Sequence, residues 1–188
     1  MNTPNKLTIS RMILTPIFLT VFLVSFKFHY AIALVLFVVA SLTDLFDGKI
    51  ARKNNIVTNF GKFADPLADK MLTTSAILGF VATGYCNIWV LFIILFREFA
   101  ISAMRLVAAS DGVVIPANMW GKVKTTIQMV ASIVIMLMLS IIFDFGVSVL
   151  EAPLTIVANV LLWLMAAATL VSGIVYIIQG TKVIDFSK

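Results

Sequence analysis

Six apolar runs, each long enough to cross a bilayer as a helix, follow one another along this chain: Ile9–Phe26, Ala31–Ile50, Phe63–Gly84, Ile88–Ala109, Trp120–Phe143 and Leu154–Gln179. A spanning helix needs about 20 residues, so six of them use roughly 120. That leaves short connections within 188 residues and no room for a separate soluble domain. The chain is 61% hydrophobic and only 12% charged, against roughly 45–50% apolar for soluble domains. The expectation is an all-α integral membrane protein, a single domain over 1–188, with six transmembrane helices around a polar cavity. Gly84, Asn87, the stretch from Gly112 to Pro116, and Pro153 punctuate the gaps. No small-residue cleavage site ends the first run, which reads as a retained helix. Cys86 is the only cysteine, which excludes an intrachain disulfide and a cysteine-built zinc site. His29, the only histidine, lies between two runs and reads as an interfacial residue, because a metal site needs several converging ligands.

Charge sets the orientation. With the N-terminus on the cytoplasmic side, thirteen of the fourteen bases fall on or toward that side and only Lys27 falls outside. The connection between the fifth and sixth runs carries Asp144 and Glu151 and no base. This is a positive-inside pattern with both termini cytoplasmic. The net charge of +5 is thus a polarised charge beside anionic membrane lipids. Nucleic-acid binding is excluded, because no basic patch with interleaved aromatics occurs outside the membrane.

Against this background the stretch from Asp44 to Asp69, DLFDGKIARKNNIVTNFGKFADPLAD, stands out with four aspartates in 26 residues. A carboxylate at the centre of a spanning helix costs about 2.5 to 3.5 kcal/mol, so four need a reason. Asp44 and Asp47 are three residues apart and share one helix face, which Gly48 and Ala51 continue. Small residues there let a ligand approach the backbone, and Arg52 beside them has a forked donor suited to phosphate. Gly61, Asp65 and Asp69 recur every four residues and share a face of the third run. The short polar link from Lys53 to Asn59 makes the second and third runs antiparallel neighbours, and Pro66 is expected to kink the third helix or mark its first turn. An all-oxygen ligand set favours a hard cation, Mg2+ or Mn2+. Four carboxylates suffice for two ions, an arrangement suited to displacement at phosphorus. Ion pairs with Lys49, Lys62 and Lys70 would explain one carboxylate pair better than they explain four.

The pattern D-x-x-D-G-x-x-A-R, eight residues, then G-x-x-x-D-x-x-x-D resembles the signature of the CDP-alcohol phosphotransferase family, with every fixed position present. The resemblance implies transfer of a phosphatidyl or related group from a CDP-linked donor to an alcohol, with release of CMP. It also implies a six-helix homodimer with a cytoplasm-facing site and two metal ions. Carried onto this sequence, it makes Asp44, Asp47 and Asp65 ligands of metal and nucleotide, and makes Asp69 both a metal ligand and the base. Thr8, Gly48, Ala51, Arg52 and Gly61 fall with the donor-binding set.

The acceptor is read from other residues. Arg97 and Arg105 lie in the fourth run, about 80° apart around a helix, and Lys122 and Lys124 open the fifth. Bases in spans usually face an interior or a cavity, and here they suit an anionic acceptor, with phosphate the natural choice. Alternatively Glu98 neutralises Arg97, and the lysines sit at the headgroups. Lys122 and Lys124 point in different directions, so one of them is expected to face inward. The strings PNKLTISR, REFAISAMR and GKVKTTIQM resemble the phosphatidylglycerophosphate synthase branch of the family. That implies CDP-diacylglycerol as donor, glycerol 3-phosphate as acceptor, and a bacterial cell membrane as location. Rival readings are the same chemistry with inositol phosphate or serine, and a divalent-cation transporter. The transporter predicts a polar path to the outer side, whereas the outer halves of the second and third runs lack ionisable groups.

Overall fold

The computed structural model describes residues 3–53, 59–110 and 119–181, and within these every side chain except those of residues 3–4, 44–53, 59–63 and 65–66. Each apolar run forms one helix: α1 (Thr3–Leu23), α2 (His29–Lys53), α3 (Asn59–Ala82), α4 (Ile88–Ser110), α5 (Met119–Leu139) and α6 (Glu151–Gly180). No strand occurs among the described residues. Three stretches, Asn5–Leu23, Met119–Asp144 and Ser148–Gly180, are long and apolar enough to cross a membrane. Helix α4 is as long, but Arg97, Glu98 and Arg105 interrupt its apolar sequence. The chain is therefore an all-helical, multi-pass membrane protein.

The helices outrun the apolar runs at their polar ends. Helix α2 continues through Lys53, and α3 begins at Asn59. Pro66 thus lies inside α3 and not in its first turn. Among the described residues α1 packs against both α2 and α3, and α2 touches α3 only slightly. The expected neighbours α2 and α3 therefore share the first helix as a common packing partner. Helix α6 packs on α5 and α4, and α2 also meets α5. Short connections alternate the helix directions. The starts of α1, α3 and α5 consequently share one end of the bundle with the finishes of α2, α4 and α6.

At the opposite end α5 widens into a π-turn at Ser140–Asp144. This turn places the Asp144 carboxylate over the start of α2, where its Oδ2 accepts from the Ala31 N–H at 2.6 Å. An otherwise orphan helix-terminal donor is satisfied from another helix. The core beside it is aromatic. The Phe22 ring stands edge-on to Phe80 at 5.7 Å and to Tyr30 at 5.2 Å. Gly79 makes room for it, since a Cβ there would lie 2.7 Å from the Phe22 ring.

Gly79→Ala is therefore expected to destabilise the fold by about 1 to 3 kcal/mol through overpacking. Thermal melting in detergent checks this. An unchanged melting temperature would mean that the buried Phe22 ring has somewhere to move.

Candidate active site

Arg11 lies on the first apolar helix and is fully buried, and a charge so placed needs a partner. Its Nη1 donates to Asp69 Oδ1 at 2.7 Å, crossing from α1 to α3. The Asp69 side chain remains 48% exposed, so Arg11 anchors its carboxylate from behind without burying it. Thr73, one turn on, donates its hydroxyl to the Asp69 carbonyl at 3.1 Å. In the sequence Arg11 served only as an orientation marker. The argument applied to Arg97, that a base inside an apolar run faces an interior, would have found it.

Across the cavity stands a second carboxylate. Glu98 Oε1 accepts from Lys124 Nζ at 2.5 Å and from Arg97 Nη1 at 3.0 Å, and Lys70 Nζ lies 3.7 Å from Oε2. Lys70 also donates to the Ser102 hydroxyl, which in turn donates to the Glu98 carbonyl at 2.6 Å. The Lys124 and Arg97 side chains are almost wholly buried. Among the described residues two buried cations thus share one carboxylate, with the partly exposed Lys70 beside them.

The two arginines of α4 differ in what they have left to offer. Arg97 gives Nη1 to Glu98 and Nη2 to Ser172 Oγ at 2.7 Å, and its Nε is buried without a hydrogen-bond partner. Its stem passes close to Gly173, where a Cβ would lie 3.0 Å from Arg97 Cγ. Arg105 donates only Nε, to the Tyr176 hydroxyl at 2.5 Å, and its guanidinium lies 5.1 Å from the Tyr176 ring centroid. Tyr176 is buried while Arg105 is exposed. The terminal nitrogens of Arg105 have no protein partner among the described residues. Helix α6, to which the sequence reading assigned no role, therefore fixes both arginines through Ser172 and Tyr176, one turn apart.

These groups enclose a half-open cavity of about 360 Å³. Its charged lining is Asp69, Lys70, Arg97, Glu98, Arg105 and Lys124. Four cations face two carboxylates, and one carboxylate, Asp69, is already matched by Arg11 behind the wall. The described lining is net positive and suits an anion. Lys124 points into the cavity, whereas Lys122 is exposed and does not line it. Thr8 is buried in α1, near one turn before Arg11.

Helices α2 and α3 run through Asp44, Asp47, Gly48, Ala51, Arg52, Gly61 and Asp65, whose side chains lie outside the described residues. Among the described residues no three His, Cys, Asp or Glu side chains stand together as metal ligands.

Residues 1–178 match the family model described as CDP-alcohol phosphatidyltransferase. The chain is 38% identical to the CDP-diacylglycerol–glycerol-3-phosphate 3-phosphatidyltransferase of Bacillus subtilis, with 100% of this chain and 99% of that one covered. It is 37% identical to the protein of the same name from Rickettsia felis, with 93% of each chain covered.

The geometry separates structural from exposed charge. Glu98→Ala leaves Lys124 and Arg97 buried and uncompensated, a loss of about 3 to 5 kcal/mol. Arg97→Ala is expected to lose folded protein as well. Arg105→Ala removes an exposed group and should leave thermal stability in detergent nearly unchanged. Equal losses for Glu98→Ala and Arg105→Ala would contradict this division.

Proposed function

Because the chain belongs to the CDP-alcohol phosphatidyltransferase family, we propose that it transfers the phosphatidyl group of CDP-diacylglycerol to glycerol 3-phosphate, releasing CMP and forming phosphatidylglycerophosphate. The observation that carries the acceptor is the net-positive cavity, in which Arg105 and Lys124 stand across from Asp69. The names of the full-length relatives point to the same pair of substrates.

In this reading the terminal nitrogens of Arg105 and the ammonium of Lys124 bind the phosphate of glycerol 3-phosphate. Arg97 and Glu98 hold Lys124 and the cavity wall in place. The primary hydroxyl then attacks the lipid-bearing phosphorus of the donor. A P–O bond forms to the glycerol oxygen, the P–O bond to CMP breaks, and Asp69 takes the hydroxyl proton. Arg11 keeps the Asp69 carboxylate aimed at the cavity. Thr8, Gly48, Ala51, Arg52 and Gly61 belong to the donor side.

Asp44, Asp47, Asp65 and Asp69 would hold two hard divalent ions, Mg2+ or Mn2+. All four donors are carboxylates, and the helices run unbroken through both pairs, three residues apart in α2 and four in α3, so each pair shares a face. When bound, the ions supply charge neutralisation to the phosphate oxygens and the departing nucleotide. The site faces the cytoplasm in a six-span bundle of a bacterial cell membrane. A second copy of the chain covers α4, where Trp89, Phe92, Phe96, Phe99, Ala103 and Leu106 are all exposed at alternating spacings of three and four, a pattern that suits paired helices.

CMP release from CDP-diacylglycerol, measured with and without magnesium, is the direct assay. Glycerol 3-phosphate should support turnover, while serine or inositol phosphate should not. Arg105→Ala should raise the acceptor KM or lower acceptor kcat/KM about ten- to hundredfold, the loss expected for one charge-assisted bond. The KM for CDP-diacylglycerol should hardly move, and Arg105→Lys should restore activity only in part. Asp44→Asn, Asp47→Asn, Asp65→Asn and Asp69→Asn should each abolish turnover in folded protein. Donor binding lost in Arg105→Ala with a normal acceptor KM would contradict the assignment.

Orientation and assembly are tested with single cysteines. Burial pushes the Cys86 thiol up to about 11, so the native protein should resist maleimide at neutral pH. In a Cys86→Ala background, Asn54→Cys should be labelled only from the cytoplasmic side, and Phe96→Cys should crosslink two copies. Labelling of Asn54→Cys from outside intact cells would overturn the topology, and absence of crosslinking would overturn the α4 interface.

A further inference from the structure

Among the uncharged polar side chains that line the cavity, Thr73, Thr125 and Gln128, the last stands apart. It is 2% exposed, yet no protein group among the described residues accepts from or donates to its amide. Its polar neighbours bond elsewhere: Thr125 and Thr73 donate to carbonyls of their own helices, Lys124 donates to Glu98, and Arg105 donates its Nε to Tyr176. A primary amide offers both donors and an acceptor. Buried amides of this kind are normally satisfied, because leaving one unpaired carries a desolvation penalty. Neither amide atom is fully enclosed, so the cavity is where a partner, water or a bound hydroxyl, reaches it.

Position narrows the partner. Gln128 lies four residues beyond Lys124 on α5, hence on the same face and about 6 Å deeper along the helix. With a phosphate bound at Lys124 and Arg105, a three-carbon chain leads from the phosphate toward Asp69. A hydroxyl on its middle carbon would then lie inside the cavity that Gln128 lines together with Asp69, Arg105 and Lys124. A hydroxyl both donates and accepts, as the amide does.

We propose that Gln128 binds the middle hydroxyl of the acceptor, selecting a phosphorylated triol over a phosphorylated diol and leaving only the terminal hydroxyl for attack. The inference rests on the acceptor reading given above. Its physical basis is asymmetric discrimination. A site built to hydrogen-bond a hydroxyl rejects the analogue that lacks it, because the buried amide is then left unpaired.

The test compares sn-glycerol 3-phosphate with 3-hydroxypropyl phosphate, which lacks only the middle hydroxyl. Both are assayed by CMP release with the full chain in lipid nanodiscs. The wild type should prefer the triol phosphate in kcat/KM by about ten- to hundredfold. Gln128→Leu, similar in volume but without the amide, should narrow the preference to about threefold or less, chiefly by slowing the triol phosphate. If both substrates slow in proportion and the preference survives, Gln128 is merely structural and the inference fails. A wild type that uses the two equally overturns it without any variant. If the wild type turns over neither compound but uses another alcohol, the acceptor reading falls and this inference falls with it. Turnover of glycerol 3-phosphate with an unaltered ratio in Gln128→Leu removes the Gln128 assignment alone.

Discussion

Charge inside an apolar bundle is tolerable only when it is matched, and the site is organised around that requirement. Glu98 takes Lys124 and Arg97 directly and stands near Lys70, while Arg11 and Asp69 form a second pair between α1 and α3. Removing one partner strands the others in a medium where an unpaired ion costs several kcal/mol. The pairs therefore fix the relative placement of α1, α3, α4 and α5 at one end of the molecule. Among the described residues the cavity lining carries more base than acid, which is the charge balance that the proposed anionic acceptor requires.

Two kinds of charged residue result, and the neighbours of each decide which it is. Arg97 has both terminal nitrogens committed to Glu98 and Ser172, so it supports the wall. Arg105 is held by one nitrogen and stacked near Tyr176, so its terminal pair is presented to the cavity. Helix α6 makes the difference. Its small residues Ser172 and Gly173 admit the Arg97 stem, and Tyr176 one turn later orients Arg105. Gln128 adds an uncharged contact deeper in the same space.

Much of this was legible in the sequence, for identifiable reasons. Apolar runs of about 20 residues locate helices because backbone groups in hydrocarbon must pair within their own segment. Each of the six runs is a helix here, with ends displaced by a few polar residues that continue the turn. Charges within apolar runs located Arg97, Arg105 and Lys124 on the cavity. Arg11 obeyed the same rule but sat near the chain start, where it was credited to orientation alone. Contacts made by uncharged residues were not legible: no periodicity distinguishes Tyr176 or Ser172 from any other residue facing the bundle interior. The packing of α1 on both α2 and α3 was equally hidden, since loop length shows which helices follow one another and not which third helix packs on them.

The central claim is that one cytoplasmic cavity binds an anionic acceptor and points its hydroxyl at Asp69. A structure of the full chain in lipid nanodiscs, determined with glycerol 3-phosphate present, tests it most directly. The phosphate is predicted between the Arg105 terminal nitrogens and Lys124, with the terminal hydroxyl toward Asp69. Density for the phosphate elsewhere in the molecule, or an empty cavity at saturating glycerol 3-phosphate, would contradict the account.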